Sequence, residues 1–290
     1  MIFLSMGNTI FSNQNKKENQ ILIVTQHFVY RSAKKLAIIL FIISVIFPIS
    51  FNIFLIFFNT TTIATIFSFF SILFLIVSEV VRNLLSNKKN IAAQIQQKFD
   101  IKVYELKNDF YINEESIGLE IEKYKYKDWN RKKNWYNDYK KLDKNEAIFY
   151  CQKENIDWTN NLSKKYVTFL KICFSIMLIL SIISFIIIND SISHVISVFV
   201  ICLPLFTYCY SGSFKIKNDN IALKEINDYA SKIELDIKNG IDEKKLENLQ
   251  WMLFYYRKNK YLIPDWFDKI FYKEIKTHEL NKSKNRKKKK

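Results

Sequence analysis

The residues in this chain that could do chemistry are few and far apart. The 290-residue sequence has three histidines, four cysteines and four glycines. His27, His194 and His278 lie in unrelated settings, and the cysteines show no CxxC or metal-ligand spacing. Four glycines are too few to write a phosphate-binding loop or a dinucleotide fingerprint. The sequence therefore predicts a protein that is not an enzyme and that uses neither a metal nor a cofactor.

A row of polar side chains follows one face of an apolar stretch, residues 61–82. At about 100° per residue these side chains fall within roughly a third of the helix circumference. They are Thr61, Thr65, Ser68, Ser71, Ser78, Glu79 and Arg82. Such a row needs other helices or water to face. We expect it to pack on other helices in a single copy and to line a pore only after assembly. The candidate pore-lining residues are Thr65, Ser68, Ser71, Ser78 and Glu79.

Two ionisable residues lie near the ends of apolar stretches, at similar predicted depth. An unpaired charge there is costly, so Glu79 and Lys171 could form an ion pair between two spans. The alternative is that each side chain reaches the lipid headgroups independently. Pro48 and Pro204 lie in mid-span and are candidate hinges for gating. Membrane helices also tolerate proline without any such role.

Four apolar stretches supply the elements that must position these residues. Residues 36–58, 63–81, 167–188 and 192–210 are each about 20 residues long, the length that crosses a hydrocarbon core of ~30 Å. Very short connections join the first stretch to the second and the third to the fourth, so two helical hairpins are predicted. A soluble protein with two buried hairpins is the alternative, and the near absence of charge in four such blocks disfavours it.

Basic residues predict the orientation. Residues 1–35 carry five Lys and Arg, residues 82–166 carry eighteen and residues 211–290 carry twenty, whereas the hairpin connections carry none. By the positive-inside rule, all three polar segments and both termini are cytoplasmic. The predicted fold class is a mainly α integral membrane protein with four transmembrane helices in two hairpins and a mostly helical cytoplasmic domain.

These patterns divide the chain into six segments. They are an N-terminal cytoplasmic helix (1–35), a first transmembrane hairpin (36–81), a cytoplasmic segment (82–166), a second hairpin (167–210), a cytoplasmic helical segment (211–280) and a disordered polybasic tail (281–290). Within them, residues 101–107 are predicted to form a short strand or extended link. Helices are predicted to end at Gly240, to start near Asp242 and to start at Pro264. The tail is typical of an electrostatic tether to anionic lipid.

The net charge of +16 indicates anionic partners. Residues 123–141 mix basic and aromatic side chains, a composition that suits lipid headgroups or a stacked nucleotide. On charge alone, the candidate ligand-binding residues are Lys132, Lys133, Lys164, Lys165 and Arg257. The expected partners are the lipid bilayer and further copies of the same chain, whereas DNA or RNA is not expected.

Several short motifs resemble one family over nearly the whole chain. They are Gln14-Asn15, then Gln26, Tyr30, Ala33 and Lys34, then Gln94, Phe99 and Asp100, then Trp135-Tyr136, then Cys151-Gln152, Asn155, Trp158 and Tyr166, and finally Arg257, Asn259, Pro264, Asp265 and Trp266. In this order they resemble the SMODS-associated four-transmembrane effector family, which is encoded beside cyclic-oligonucleotide synthetases in bacterial anti-phage systems. His27 and Thr25 depart from the pattern, which has arginine and alanine there.

The resemblance implies a dormant protein of the bacterial inner membrane that a nucleotide signal switches on during infection. It would then permeabilise the membrane and arrest or kill the host cell. The resemblance also implies that a cyclic oligonucleotide is the ligand. Two other functions remain open from the residues alone. One is a membrane-anchored sensor or scaffold that conducts nothing, and the other is a channel that is open during normal growth.

Overall fold

The fold is described from a computed structural model that covers residues 9–58, 61–107, 112–128, 132–188 and 192–288. Within these ranges the secondary structure is helical, and no strand occurs. The helices are α1 (Ile10–Asn13), α2 (Lys17–Phe41), α3 (Phe47–Phe57), α4 (Thr61–Tyr104), α5 (Glu114–Tyr124), α6 (Lys144–Ile188), α7 (Ile192–Leu235), α8 (Glu243–Asn259) and α9 (Asp265–Lys288). The predicted fold class is confirmed.

Four helical segments are long and apolar enough to cross a membrane, as predicted. They are α2 together with α3, then α4, α6 and α7. Residues 59–60 and 189–191, which belong to the two predicted hairpin connections, lie outside the described ranges. A π-helical turn at Ile42–Ile46 joins α2 to α3 and ends two residues before Pro48. Proline removes a backbone donor, and π turns often occur where the helical ladder is interrupted. Pro204 lies inside α7.

The chain forms two compact units. The polar unit comprises residues 1–32, 88–163 and 219–290, and the span unit comprises residues 33–87 and 164–218. Helices α2, α4, α6 and α7 each contribute residues to both units.

Phenylalanine side chains pack the first hairpin of the span unit. The rings of Phe51 and Phe67 stack with centroids 4.1 Å apart, and Phe47 meets Phe74 edge-on at 4.3 Å. Aromatic pairs of this geometry contribute more than their buried area alone. The face of α4 that carries Phe67 and Phe74 therefore covers α3.

The polar unit has a continuous apolar core. Its residues come from every stretch of chain that the unit contains, and the largest fully buried ones are Ile23, Ile95, Phe99, Tyr104, Ile117, Tyr136, Ile148, Phe149 and Ile156. Helices α7 and α8 add Ile226, Ile233, Leu246, Leu249 and Leu253. The predicted ends of these helices are confirmed, because Gly240 takes a positive φ of 87° and Asp242 caps α8.

Residues 101–104 differ from the prediction. The sequence predicts an extended segment there, but α4 continues without interruption to Tyr104. Val103 and Tyr104 are fully buried in the polar core. Tertiary packing thus overrides the β preference of this stretch. The helix ends at Glu105, which has a positive φ of 57°, and the Leu106 N–H donates to the Ile101 carbonyl.

The C-terminal tail also differs from the prediction. Residues 281–288 continue α9 instead of forming a disordered segment. Two of the basic side chains that indicated disorder are engaged, because Lys282 and Arg286 both bind the Asp157 carboxylate. A run of basic residues can be ordered when an acidic partner elsewhere in the fold neutralises part of it.

Candidate functional site

A buried ion pair lies at the centre of the polar unit. Arg257 Nη1 is 2.6 Å from Asp100 Oδ2, and both side chains are almost fully buried. The Tyr136 hydroxyl donates to the other carboxylate oxygen, Asp100 Oδ1, at 2.6 Å. Helix α4 supplies Asp100, α8 supplies Arg257, and the segment between α5 and α6 supplies Tyr136. Three separate parts of the chain therefore meet at one carboxylate.

Carboxamides extend this cluster. Gln250 Nε2 donates to Asp100 Oδ2 at 3.0 Å and to Gln97 Oε1 at 2.8 Å, and Gln152 donates to Gln250 Oε1 at 3.0 Å. Asn155 Nδ2 donates to the Tyr136 hydroxyl at 3.0 Å. We call these seven residues, Gln97, Asp100, Tyr136, Gln152, Asn155, Gln250 and Arg257, the Asp100 network.

The electrostatics of the Asp100 network fix its protonation. Burial and the nearby Asp100 charge raise the pKa of Tyr136 well above its ordinary value, so its hydroxyl remains a donor. Burial alone would lower the pKa of Arg257, but the charge and hydrogen bond of Asp100, together with the nearby Tyr136 and Tyr104, raise that pKa on balance. Burial also raises the pKa of the Cys151 thiol. The network is therefore well suited to holding helices together.

Within the described ranges of the chain, some buried polar atoms at and near this network have no hydrogen-bond partner. They are Arg257 Nη2, Gln97 Nε2, Gln152 Oε1 and Tyr30 Oη. Donors and an acceptor are both present, a composition that ordered water can satisfy.

The N-terminal residues clasp the segment that carries Tyr136. Gln14 mimics a backbone, because its Nε2 donates to the Tyr136 carbonyl at 3.1 Å and its Oε1 accepts from the Tyr136 N–H at 2.7 Å. Asn15 makes two bonds of 3.0 Å with Asn134, which has a positive φ of 56°. The first helical turns therefore hold the Tyr136 segment in place.

Glu105 ties the same N-terminal residues to α4 and α6. Its carboxylate accepts from Asn13 Nδ2 at 2.8 Å and from Thr9 Oγ1 at 3.2 Å, and Lys144 Nζ lies 3.0 Å from it. The Lys144 contact is the main reason why the pKa of Glu105 lies below its ordinary value. The charged form of Glu105 is thus the form that the folded protein favours.

The Glu105→Gln variant should destabilise the protein at neutral pH by a modest amount. A carboxyl group with a lowered folded-state pKa adds stability above its unfolded pKa, about 4.3, and that contribution is lost as the pH falls through the folded value. Thermal melts of purified protein from pH 3 to 7 measure this. The two melting temperatures should differ at pH 7 and converge below pH 4. A constant difference would contradict the assignment.

Acidic and basic side chains also cluster where α9 meets α6. Arg286 Nη2 lies 3.0 Å and Lys282 Nζ 2.9 Å from Asp157 Oδ2. The Arg286 guanidinium also lies over the Tyr150 ring at 5.2 Å. Glu154 lies alongside and accepts from Tyr139 and Asn137 at 2.6 Å each, and burial raises the pKa of Glu154. The last turns of α9 are therefore held mainly through Asp157.

The Asp157→Asn variant should loosen the C-terminal end of α9. Loss of two partly buried charge-assisted contacts costs about 1–3 kcal/mol, which favours local opening roughly 5- to 150-fold. Trypsin should then cleave at the basic residues after Ser283 correspondingly faster. Asp228→Asn, the same change at an exposed site on α7, is the control and should leave the cleavage rate unchanged. Equal rates for both variants would contradict the role of Asp157.

The five candidate ligand-binding residues do not form one described site. Lys132 lies over the Trp135 ring at 5.9 Å, and Lys133 is exposed. Lys164 and Lys165 belong to the span unit rather than the polar unit. Arg257 is buried and its charge is already compensated by Asp100. Binding of an anion by these residues stays a prediction, and for Arg257 it would require the Asp100 pair to open.

The hydroxyl-bearing face of α4 is largely exposed on the span unit. Thr65, Ser68, Ser71 and Glu79 are exposed, and Ser78 alone of the candidate pore-lining residues is buried. The expectation that this face packs on other helices in a single copy was therefore wrong for the exposed four. The Phe67 and Phe74 face takes that place instead. Aromatic side chains bury more apolar area than serine or threonine side chains, which explains why the phenylalanine face of α4 is the packed one.

The polar groups on this exposed face have local partners. Thr65 Oγ1 donates to the Thr61 carbonyl and Ser71 Oγ donates to the Phe67 carbonyl, each at 2.9 Å. Such bonds within the helix let a hydroxyl face a nonpolar medium at low cost. Glu79 lies 3.4 Å from Arg82 on the same helix, and the described part of the span unit does not bring it to the exposed Lys171. The Glu79–Lys171 pair stays a prediction.

Sequence reasoning did not find the Asp100 network as a network. Gln97 and Gln250 were not singled out, and Asp100, Tyr136, Gln152 and Asn155 appeared only as parts of short motifs. The available signal was an acidic or amide side chain on the apolar face of a helix, as with Asp100 beside Phe99. Such a residue needs a buried partner, but sequence alone does not say which one.

Comparisons with known proteins agree with the architecture. The model of a family described as the SMODS-associating 4TM effector domain matches residues 8–285. A protein of Bacillus cereus (strain VD146), described as a probable CBASS effector molecule, is 23% identical over 270 residues, which cover 89% of this chain and 91% of that protein. No solved structure matched the chain.

Proposed function

Because the chain belongs to the SMODS-associating four-transmembrane effector family, we propose that it is a membrane effector of a CBASS anti-phage system. In this proposal the protein lies in the bacterial inner membrane with both termini in the cytoplasm. A cyclic oligonucleotide made during infection activates it. Activated copies assemble and permeabilise the membrane.

The observation that best supports a pore is the exposed, hydroxyl-bearing face of α4. Thr65, Ser68 and Ser71 lie on the surface of the span unit, while Phe67 and Phe74 hold the hairpin together from another side of α4. A single chain with four spans is too small to enclose water. If several copies turn these hydroxyls toward a common axis, the hydroxyls form a polar lining for a water-filled pore. Contact with lipid alone would not require polar side chains at these positions.

The polar unit would receive the activating signal. The net charge of +16 favours an anionic ligand such as a cyclic oligonucleotide. Four helices contribute residues to both units, so a rearrangement in the polar unit can act on the spans through the same helices. A ligand shifts such an equilibrium only by binding the active form more tightly.

Leakage of a dye from liposomes that contain the purified protein tests the proposal. Addition of a panel of cyclic di- and trinucleotides should start leakage, which should be slow without them. Leakage at the same rate with and without nucleotides would favour a resident channel. No leakage under any condition, with binding of a nucleotide or a protein, would favour a sensor or scaffold.

A further inference from the structure

The first turns of α9 carry an exposed face that combines apolar and basic side chains. Trp266 is 50% and Ile270 64% exposed. Lys269 and Lys273 are exposed as well and lie on the same side of the helix, within about 100° of one another at 100° per residue. Asp265 and Asp268 lie off this face and are less exposed. We call Trp266, Lys269, Ile270 and Lys273 the α9 face.

The loop that leads into α9 is held from two directions. The Tyr261 N–H donates to Asp219 Oδ2 at 2.5 Å, and Lys89 Nζ donates to the Asn259 carbonyl at 3.0 Å. In sequence, Lys89 follows the predicted end of the second span, Val81, by eight residues. Asp219 follows the predicted end of the fourth span, Tyr210, by nine. On a continuous helix these separations are only about 12–13 Å.

Helix α9 contacts the first half of α6. Its Tyr272 ring meets Trp158 at 5.5 Å, Lys282 reaches Asp157, and Arg286 lies over Tyr150. In sequence, Trp158 precedes the predicted start of the third span, Val167, by nine residues, whereas Tyr150 precedes it by 17. The beginning of α9 thus contacts a residue that is close in sequence to a predicted span.

We propose that the α9 face docks on the anionic headgroup surface of the bilayer that this chain crosses. Tryptophan suits the headgroup level because its ring is amphipathic, and lysine side chains reach phosphates while their stems stay apolar. Each basic residue near such a surface adds to the attraction by anionic lipid. This role belongs to the beginning of α9, whereas the last turns bind Asp157. It goes beyond the proposed function, because it holds whether or not the protein forms a pore.

Fluorescence of the full-length protein, one copy per lipid nanodisc, tests the docking. The difference between wild type and Trp266→Phe isolates the emission of Trp266. In discs of phosphatidylglycerol and phosphatidylcholine brominated near the headgroup, that emission should fall by roughly half, as expected for an interfacial tryptophan. The loss should shrink at least twofold in purely zwitterionic discs and in a Lys269→Gln/Lys273→Gln variant.

Matched controls separate docking from general effects. Trp251 is the control tryptophan, and its emission is isolated in the same way with Trp251→Phe. It stacks on Tyr255 and lies eight residues before Asn259, the end of α8 that leads toward the α9 face. Its emission should therefore not respond to bromine. The Lys238→Gln/Lys244→Gln variant removes two exposed lysines at the opposite end of α8 and should quench like wild type. Unquenched Trp266, or quenching that ignores lipid and lysine charge, would overturn the proposal. Quenching only with two copies per disc would assign the face to a second copy instead.

Discussion

Replacing Arg257 with methionine is expected to lower the free energy of unfolding by about 3–5 kcal/mol, because the change leaves the Asp100 carboxylate buried without its charge partner. Gln250 and Tyr136 would still donate to Asp100, but neither carries a positive charge. Chemical denaturation of the detergent-solubilised protein measures the loss. Lys258→Met, which removes the exposed neighbouring cation on the same helix, should cost less than about 0.5 kcal/mol.

A double-mutant cycle shows whether the Asp100–Arg257 contact is responsible. Asp100→Leu alone should also be strongly destabilising, because it strands the Arg257 guanidinium. The double variant Asp100→Leu/Arg257→Met should recover much of the loss, since neither charge is then left uncompensated. Additive losses in the double variant would show that the two side chains act separately.

Replacing Ser68 and Ser71 together with leucine should reduce nucleotide-triggered leakage at least tenfold. Two hydroxyls that could face water in the assembled state would become apolar, and an apolar constriction favours dewetting. The same change suits lipid equally well in the unassembled state, so membrane insertion should be unaffected. Liposome leakage and extraction with alkaline carbonate measure the two effects.

The matched control for this change lies on another span. Thr207 and Ser211 of α7 are also exposed hydroxyls one turn apart, and each donates to a carbonyl of its own helix. The Thr207→Leu/Ser211→Leu variant should leak like wild type. If it loses leakage instead and the α4 variant does not, α7 lines the water path.

The architecture was predictable because hydrophobic length is a one-dimensional property. Four stretches of about 20 apolar residues predict four spans without any knowledge of packing. The helix ends at Gly240 and Asp242 were predictable for a similar reason, since caps are local. The end of α4 was not, because Val103 and Tyr104 are helical through their burial in a core made by distant segments.

The sequence could not predict which side chains contact each other across the fold. Charge alone marked Arg257 as a surface cation for a ligand, whereas its partner Asp100 lies 157 positions earlier in the chain. The same limitation applied to the tail, where Asp157 orders residues that look disordered by composition. On α4, the helical period located the hydroxyl-bearing face. It could not predict that the phenylalanine side chains, and not the hydroxyls, would pack against α3.

The separation between Asp100 and Arg257 also matters while the protein is being made. At about 5–20 residues per second, a ribosome needs roughly 8–30 s to travel from one codon to the other. During that interval the third and fourth spans are synthesised while Asp100 still lacks its partner Arg257. A nascent or truncated chain that ends before α8 therefore carries a defect at the centre of its polar unit. Quality-control proteases would recognise such chains as unfolded, so that complete copies of the protein accumulate selectively in the cell.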